Sequence, residues 1–488
     1  MRKAYSNQKR FDCQDVADIR LNLNCRDEII PILRGLQHIY TKPHLRDEIL
    51  QLIAQDVNQD SRTDRGRKGL DHWQVLVLAG IRMGCDLDYD KLQDLAEQHR
   101  NLRQMMGIGD WEDDVEFSWR RIRDNVCLLK VETIEKISHA LVAEGHQLHP
   151  DAIKRVRADS FVVETNIHYP TESSLIDDGV RKVIGLCVDL ADSLNLDGWR
   201  QHQHLLRNIG RITRQIGRIS SRKGPNYKTR LEKAYRQLLQ QAERLLRRAE
   251  ALCEQALSLP TADLEVTTET ASIKYFMGLT KQVCGTARRR VLEGETVPNE
   301  DKLFSIFEPH TQLYKRGKAG EPVQFGRLLL VYEDAQGFII HSHLLKRDEQ
   351  DVDVAIEATG TVQERLEGRI QELSFDCGFH SPENQTQLAQ IVSHVCLPTK
   401  GKQQSAKQQA SASDQFHHSR RRHSGVESAI GALQSGNGLE RCRDKTELGF
   451  ERYVALGIFG RNLHTLGKLL IAEDDESANA AHSKRFAA

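Results

Sequence analysis

The chain has 488 residues, of which 39% are hydrophobic and 28% charged, and this composition excludes a wholly disordered protein. At roughly 150 residues per domain, the length predicts about three domains. The 69 basic and 69 acidic residues balance, so only the distribution of charge can point to a partner. The low proline content, 11 residues, favours a helix-rich fold.

Segments that would direct the chain to a membrane are not evident. No apolar run approaches the roughly 20 residues that span a bilayer, and no apolar stretch follows the basic N-terminus. The ten cysteines are scattered without a CxxC pair, which indicates reduced thiols. Cys377, His380, His394 and Cys396 match no standard zinc spacing. We therefore expect a soluble, cytoplasmic protein with no membrane partner.

Residues 1–150 are predicted to form an N-terminal helical domain with a role in DNA binding. Leu45, Ile49 and Ile53 recur at helical spacing, and no strand-like alternation interrupts the region. Residues 86–106 fit part of a helix-turn-helix, but an ordinary helical bundle fits the pattern as well.

The pattern changes to a strand at 156–163, within a first core segment at 151–175. A helical block at 176–322 follows, and its stretch 200–254 holds 14 Lys or Arg and four Glu. Four arginines share one face of a predicted helix: Arg207, Arg211, Arg214 and Arg218. Such a face suits a phosphate backbone, although a solvated helical hairpin gives the same pattern.

Strands return in the segment 323–470. We predict a β-hairpin at 325–345 with its turn at 333–337, and further strands at 370–375 and 395–397. The remaining predicted elements are a helix at 382–393, a mobile basic loop at 399–420, a helix around residue 430, a helix at 449–470 and a disordered tail at 471–488.

Three acids lie in, or directly after, the predicted elements of this core. Asp159 lies in the first strand, Asp376 ends the fourth, and Glu427 lies on the helix after the fifth. If the first and fourth strands are neighbours, the three carboxylates converge. Converging carboxylates are suited to Mg²⁺ or Mn²⁺, and a pair of such ions assists phosphodiester displacement. Each acid alone also fits a structural or surface role.

The same residues carry a family resemblance. The chain resembles bacterial insertion-sequence transposases of the DDE type, and the ISNCY group in particular. The resemblance rests on ADSFVVETNIHYPTESSLIDDGVR at 158–181, FSIFEPHT at 304–311, KRGKAG at 315–320, SFDCGFHSPEN at 374–384, LPTKGK at 397–402, RRRHSGVESAIGAL at 420–433 and GFERYVALGIFGRNLHTLGKLL at 449–470.

The resemblance implies an α/β fold with a ribonuclease H-like core, which is a mixed five-stranded sheet with flanking helices. It also implies a helical insertion between the first and second strands. Asp159, Asp376 and Glu427 match the acidic triad, which would bind two Mg²⁺ or Mn²⁺ ions. The implied activity is cleavage at element ends, followed by joining of the 3′-hydroxyl to target DNA. A nucleoid-associated dimer or larger assembly on DNA is expected, because two ends must be cut in concert.

One departure concerns the residues around Glu427. Many related transposases carry Tyr, Arg and Lys there, whereas His423 and Gln434 occupy the positions four before and seven after Glu427. Five cations near this region are candidates for phosphate contact: Lys400, Lys402, Arg420, Arg421 and Arg422.

Three alternatives to a transposase remain open. A divalent-metal DNA nuclease of the same fold would use the same triad. A non-catalytic DNA-binding protein derived from a transposase, or a helical scaffold, would not need it.

Overall fold

The computed structural model describes residues 3–5, 11–58, 69–112, 115–260, 262–315, 322–347 and 349–486, except for the side chains of Lys402 and of residues 478–486. The chain divides into two compact units. The first unit consists of Met1–Glu164 and Arg327–Ala488, and the second unit is Thr165–Gly326.

Helices precede the first strand, as the sequence predicts. They are α1 (Ile29–Thr41), α2 (Pro43–Val57), α3 (His72–Gly84), α4 (Tyr89–Gln98), α5 (Arg100–Met105), α6 (Trp119–Val126) and α7 (Val131–Leu148). A capping box begins α3, because Asp71 accepts from the Gln74 N–H and the Gln74 side chain accepts from the Asp71 N–H. Residues 1–150 belong to the compact unit that also contains residues 151–164 and 327–488.

The first strand, β1 (Arg155–Thr165), leads into the helices of the second unit. These are α8 (Glu172–Ser193), α9 (His202–Arg222), α10 (Tyr227–Leu257) and α11 (Leu264–Val291). All four helices contribute to one apolar core, to which α9 supplies Ile209, Ile212, Ile216 and Ile219. The compact unit that holds these helices extends from Thr165 to Gly326.

The strands of the chain form one open sheet that contains both parallel and antiparallel pairs. Its other strands are β2 (Gln312–Lys315), β3 (Val323–Asp334), β4 (Ile339–Leu344), β5 (Glu372–Phe375), β6 (His394–Cys396) and β7 (Arg441–Cys442). The order is β2-β3-β1-β5-β6, with β4 also paired to β3 and β7 to β1. The β1–β5 and β5–β6 pairs are parallel, whereas the β2–β3 and β3–β4 pairs are antiparallel.

All five predicted strands are present, and the first and fourth of them are neighbours, as expected. The predicted turn at 333–337 begins too early. β3 continues through Asp334, whose Oδ1 accepts the N–H groups of Gln336 and Phe338 and so shapes the turn after the strand. The short strands β2 and β7 lacked a sequence signal, because four and two residues are too few for alternation.

Helices cover the rest of the first unit. They are α12 (Asp351–Arg365), α13 (Pro382–Ile391), α14 (Lys402–Ser411), α15 (Asp414–His423), α16 (Val426–Gly436) and α17 (Glu447–Phe486). The loop predicted at 399–420 is wrong, because α14 and α15 occupy most of it. Its many Gln, Lys, Ala and Arg residues are good helix formers, so its polar composition was not a signal of mobility.

The helix α17 packs closely against α1 and α3 through glycines. A Cβ at Gly467 would lie 1.7 Å from the Pro31 carbonyl oxygen, and one at Gly460 would lie 2.8 Å from the Gly84 nitrogen. This close approach joins the N-terminal helices to the C-terminal part of the chain. The helix continues to Phe486, through the segment for which the sequence predicts a disordered tail.

Two expectations about membranes and cysteines can be compared with the structure. Within the described residues, no helix combines the length and the apolar character needed to cross a bilayer. All ten cysteines are free thiols, as predicted.

Candidate active site

Two of the three predicted acids lie side by side on neighbouring strands. Asp159 lies within β1, and Asp376 directly follows β5. The parallel register pairs Ala158 with Phe375, so the two acids are the next residues along each strand. The backbone of Asp376 is still extended, with φ −77° and ψ 166°. Because neighbouring strands lie roughly 4.8 Å apart, this register brings the two carboxyl groups to one place on one face.

Both aspartates are held by the backbone that follows them. The Ser160 N–H donates to Asp159 Oδ1 at 2.7 Å, and the Cys377 N–H donates to Asp376 Oδ1 at 2.7 Å. Asp159 is half-buried and Asp376 is exposed. These bonds orient one oxygen of each carboxylate.

Glu427 reaches the same region from the first turn of α16, where it is exposed. The segment before it contacts β1, because Arg157 Nη1 donates to the Arg422 carbonyl oxygen at 3.1 Å. A Cβ at Gly425 would lie 2.2 Å from the same Nη1 atom. Since Arg157 and Asp159 are two residues apart on a strand, they share a face. The start of α16 therefore lies at the face of β1 that carries Asp159.

The imidazole of His423 links the second and third acids electrostatically. Its Nδ1 lies 3.2 Å from Ser374 Oγ on β5. Burial lowers the pKa of His423, the carboxylates of Asp376 and Glu427 act to raise it, and the Arg157 guanidinium acts to lower it. Both carboxylates must therefore lie within electrostatic range of the same ring. His423, the last residue of α15, therefore lies near both Asp376 and Glu427.

The three acids share a region without forming a closed ligand set. In the described part of the chain, no group of three or more His, Cys, Asp or Glu side chains is arranged to hold a metal ion. This statement includes Cys377, His380, His394 and Cys396. The donor set of Asp159, Asp376 and Glu427 still fits Mg²⁺ or Mn²⁺ in kind, because all its atoms are carboxylate oxygens.

The cations predicted near the acids differ in their surroundings. Arg422 forms an ion pair with Glu372 of β5, and Arg420 Nη1 lies 3.5 Å from Ser405 Oγ. Arg421 is exposed and has no ion-pair partner among the residues that the structure describes. Arg421 is therefore a better candidate for phosphate contact than Arg422, which has a structural role.

Two predicted lysines follow β6. Lys400 is exposed, and its charge acts to lower the pKa of Cys377, although burial raises that pKa overall. Lys400 therefore lies near the residue that follows Asp376. The side chain of Lys402 lies outside the described part of the chain.

In the second unit, α9 presents the predicted cationic face. Its four arginines are exposed on the side opposite the isoleucine stripe, and none forms an ion pair with a described residue. They are Arg207, Arg211, Arg214 and Arg218. The eleven-residue separation of the first and last corresponds to about 16 Å along the helix.

Arginines of α11 form ion pairs with carboxylates of the same unit. Arg288 of α11 pairs with Glu243 of α10. Arg289 pairs with Glu295 at 2.6 Å and with Asp301 at 2.9 Å. These paired arginines of α11 lie outside the basic region predicted at 200–254, which contains the four arginines of the α9 face.

Two polar residues, Asn166 and His168, follow the first strand. His168 Nε2 lies 3.5 Å from Asp178 Oδ2 and 3.4 Å from Ser174 Oγ, both on α8. These contacts give His168 a structural explanation within the second unit. Asn166 is exposed.

No sequence pattern predicted a role for Arg157 or Glu333. Arg157 Nε donates to Glu333 Oε2 at 2.5 Å, and the Glu333 side chain is 2% exposed. The spacing of Arg157 two residues before Asp159 was the signal that could have identified it. Glu333 was assigned to a turn, so its burial in β3 was not foreseen.

Comparison of the chain with models of known protein families, with curated proteins and with solved structures gives no match.

Proposed function

We propose that this chain is a DDE-type transposase with a ribonuclease H-like core, which cleaves DNA at insertion-sequence ends and joins the 3′-hydroxyl to target DNA. The observation that carries the proposal is the register of β1 and β5. It makes Asp159 and Asp376 neighbours on parallel strands although they lie 217 positions apart in the chain. The adjacency of the first and fourth core strands is what the ribonuclease H-like arrangement requires.

The acids supply the proposed metal site. Asp159, Asp376 and Glu427 would hold two Mg²⁺ or Mn²⁺ ions. Such ions stabilise charge on the attacking and leaving oxygens during phosphodiester displacement. The backbone N–H groups of Ser160 and Cys377 hold the two aspartates in place. Asp376 and Glu427 are exposed, so a DNA phosphate can approach them without displacing the core.

Exposed cations supply the proposed DNA contacts. Arg421 and Lys400 lie on the elements around the acids, and the α9 arginines offer a separate phosphate-binding face. Arginine can contact a phosphate through two N–H groups, whereas lysine acts as a point charge. The proposal places the protein on the nucleoid as a dimer or larger assembly, because the two ends of an element must be cut together.

A strand-transfer assay tests this proposal. The full chain is incubated with Mn²⁺ or Mg²⁺, a plasmid target and end-labelled duplexes covering the DNA on either side of its own coding sequence. A transposase releases 3′-ends and yields labelled plasmid. Cleavage without labelled plasmid would instead indicate the divalent-metal nuclease.

A non-catalytic DNA-binding protein is the second candidate, and it is favoured by the open arrangement of the three carboxylates. It would retain the duplexes and yield neither cleavage nor joining with either ion. Failure to bind any DNA at low salt would indicate the helical scaffold, because phosphate-driven affinity is strongest there.

A further inference from the structure

The guanidinium of Arg157 connects three elements around the proposed metal site. From β1 it donates through Nε to Glu333 Oε2 on β3, at 2.5 Å. It donates through Nη1 to the Arg422 carbonyl oxygen at the end of α15, at 3.1 Å. One planar side chain therefore joins two neighbouring strands to the helix pair that carries Glu427.

The buried carboxylate of Glu333 fixes the position of this guanidinium. Burial raises the pKa of Glu333, and Arg157 and Arg461 act to lower it. A carboxylate that is 2% exposed requires a hydrogen-bonded cation, so Arg157 is not free to turn away. Its Nη1 atom is consequently held at a defined point above β1.

The backbone between α15 and α16 lies directly against the Nη1 atom of Arg157. A Cβ at Gly425 would lie 2.2 Å from Arg157 Nη1 and 3.0 Å from Cζ. The backbone of Gly425, at φ −67° and ψ −15°, is one that any residue adopts, so the glycine is required by space and not by conformation. Glu427 follows two residues later.

A second set of contacts ties the same segment to β5. Ser419 Oγ donates to Glu372 Oε1 at 2.7 Å, and Arg422 pairs with the same carboxylate. His423 Nδ1 lies 3.2 Å from Ser374 Oγ. Glu372 and Ser374 alternate with Asp376 along one face. The segment before Glu427 is therefore anchored on both strands that carry the other acids.

We infer that Arg157 and Gly425 are positioning residues that set the distance of Glu427 from Asp159 and Asp376, and so set the affinity of the site for divalent ions. This inference rests on the proposed metal-dependent function. Residues that orient ligands in this way typically change metal affinity by about 10- to 100-fold when replaced.

The test compares two glycine-to-alanine variants of the full chain. Gly425→Ala forces the guanidinium away from the Arg422 carbonyl while leaving the Arg157–Glu333 pair able to form. Gly431→Ala is the matched control, because it lies on α16 itself and a Cβ there meets nothing within 4 Å. Mn²⁺ affinity is measured from the electron paramagnetic resonance signal of the free ion, and folding from the thermal midpoint and circular dichroism.

We expect Gly425→Ala to weaken Mn²⁺ binding by about tenfold or more and to keep the fold, whereas Gly431→Ala binds as the native chain does. Arg157→Lys provides a second variant. It keeps a charge beside Glu333, but a single ammonium cannot reproduce the two-armed contact, so it should weaken Mn²⁺ binding in the same direction.

Two results would contradict this inference, and each contradicts a different part of it. If the native chain binds Mn²⁺ and folded Gly425→Ala binds it equally well, the positioning role is wrong and the proposed function stands. If the native chain itself binds no Mn²⁺, the proposed metal-dependent function fails, and the positioning role fails with it.

Discussion

The acidic region of the first unit and the cationic face of α9 in the second unit are built in opposite ways. Asp159, Asp376 and Glu427 come from three elements and meet only through strand register and contacts such as that of Arg157 with the Arg422 carbonyl. The α9 arginines come from one helix and share a face through helical periodicity alone. A charged helix face can therefore form from local sequence alone, whereas a group of acids from distant segments depends on tertiary structure.

The largest expected effect comes from removing the negative charge of one of the three acids. We expect Asp159→Asn, Asp376→Asn and Glu427→Gln each to reduce strand cleavage by roughly 1000-fold or more, on the scale of losing metal or electrostatic stabilisation of the reaction. DNA retention at low salt should be unchanged or slightly stronger, because a negative charge is removed. Cleavage and filter retention of the same labelled duplex measure the two properties.

Glu357→Gln is the control for this series, because Glu357 is exposed on α12 of the same unit. Retained cleavage in Asp159→Asn would remove that carboxylate from the proposed site. Equal loss in Glu357→Gln would show that the effect is not specific to the three acids.

The second prediction concerns the cationic face. Each phosphate contact contributes about 0.9 to the slope of log affinity against log salt. The double variant Arg211→Gln with Arg214→Gln should therefore lower that slope by about 2. Fluorescence anisotropy with a fixed duplex across a salt series gives the slope.

The matched control removes the same charge from arginines that already have partners. Arg288→Gln with Arg289→Gln should change the slope by less than about 0.5, because Glu243, Glu295 and Asp301 already engage these guanidinium groups. Equal slopes for the two double variants would show that the unpaired face of α9 is not the DNA-binding surface.

The third prediction concerns how the stability of the first unit depends on pH. Burial lowers the pKa of His341, on β4 of the first unit, to about 3. An unfolded histidine titrates near 6.5, so between pH 6.5 and 3 the unfolded chain binds a proton that the folded chain does not. The contribution of His341 to the free energy of unfolding is therefore fully present above pH 6.5 and decreases as the pH falls through this range.

Between pH 7 and pH 5, His341 should account for a loss of about 2 kcal/mol in the free energy of unfolding of the first unit. His341→Gln should accordingly show a smaller fall in thermal midpoint between these pH values than the native chain. His44→Gln, at a side chain that is 97% exposed, should behave as the native chain does. An identical pH dependence in native chain and His341→Gln would contradict this assignment.

The sequence predicted the local features well for a physical reason. Strands β1, β3, β4, β5 and β6 and the helices of the second unit follow from periodicity, and so does the face formed by Arg207, Arg211, Arg214 and Arg218. Helical and strand periodicity fix which side chains share a face without any knowledge of the tertiary structure.

The features that the sequence missed depend on contacts between distant segments. The burial of Glu333 follows from its pairing with Arg157, 176 positions earlier in the chain. The two helices at 402–423 were assigned to a loop because their composition is polar, yet Ser419 and Arg422 are fixed by Glu372. The packing of the N-terminal helices against α17 depends on the close approach of their backbones at Gly460 and Gly467.

The two glycines that flank Glu427, Gly425 and Gly431, differ in their surroundings. Only the first has a close neighbour, since a Cβ at Gly431 meets nothing within 4 Å. The sequence could not distinguish them, because their difference lies in the position of the Arg157 side chain.

The most direct test of the central claim is an anomalous-scattering map from crystals of the full chain grown with Mn²⁺. The account predicts anomalous peaks roughly 2.0–2.5 Å from carboxylate oxygens of Asp159 and Asp376, with Glu427 completing the ligand set. Manganese bound elsewhere with none at these acids, or Glu427 turned away from ions held by the two aspartates, would contradict it.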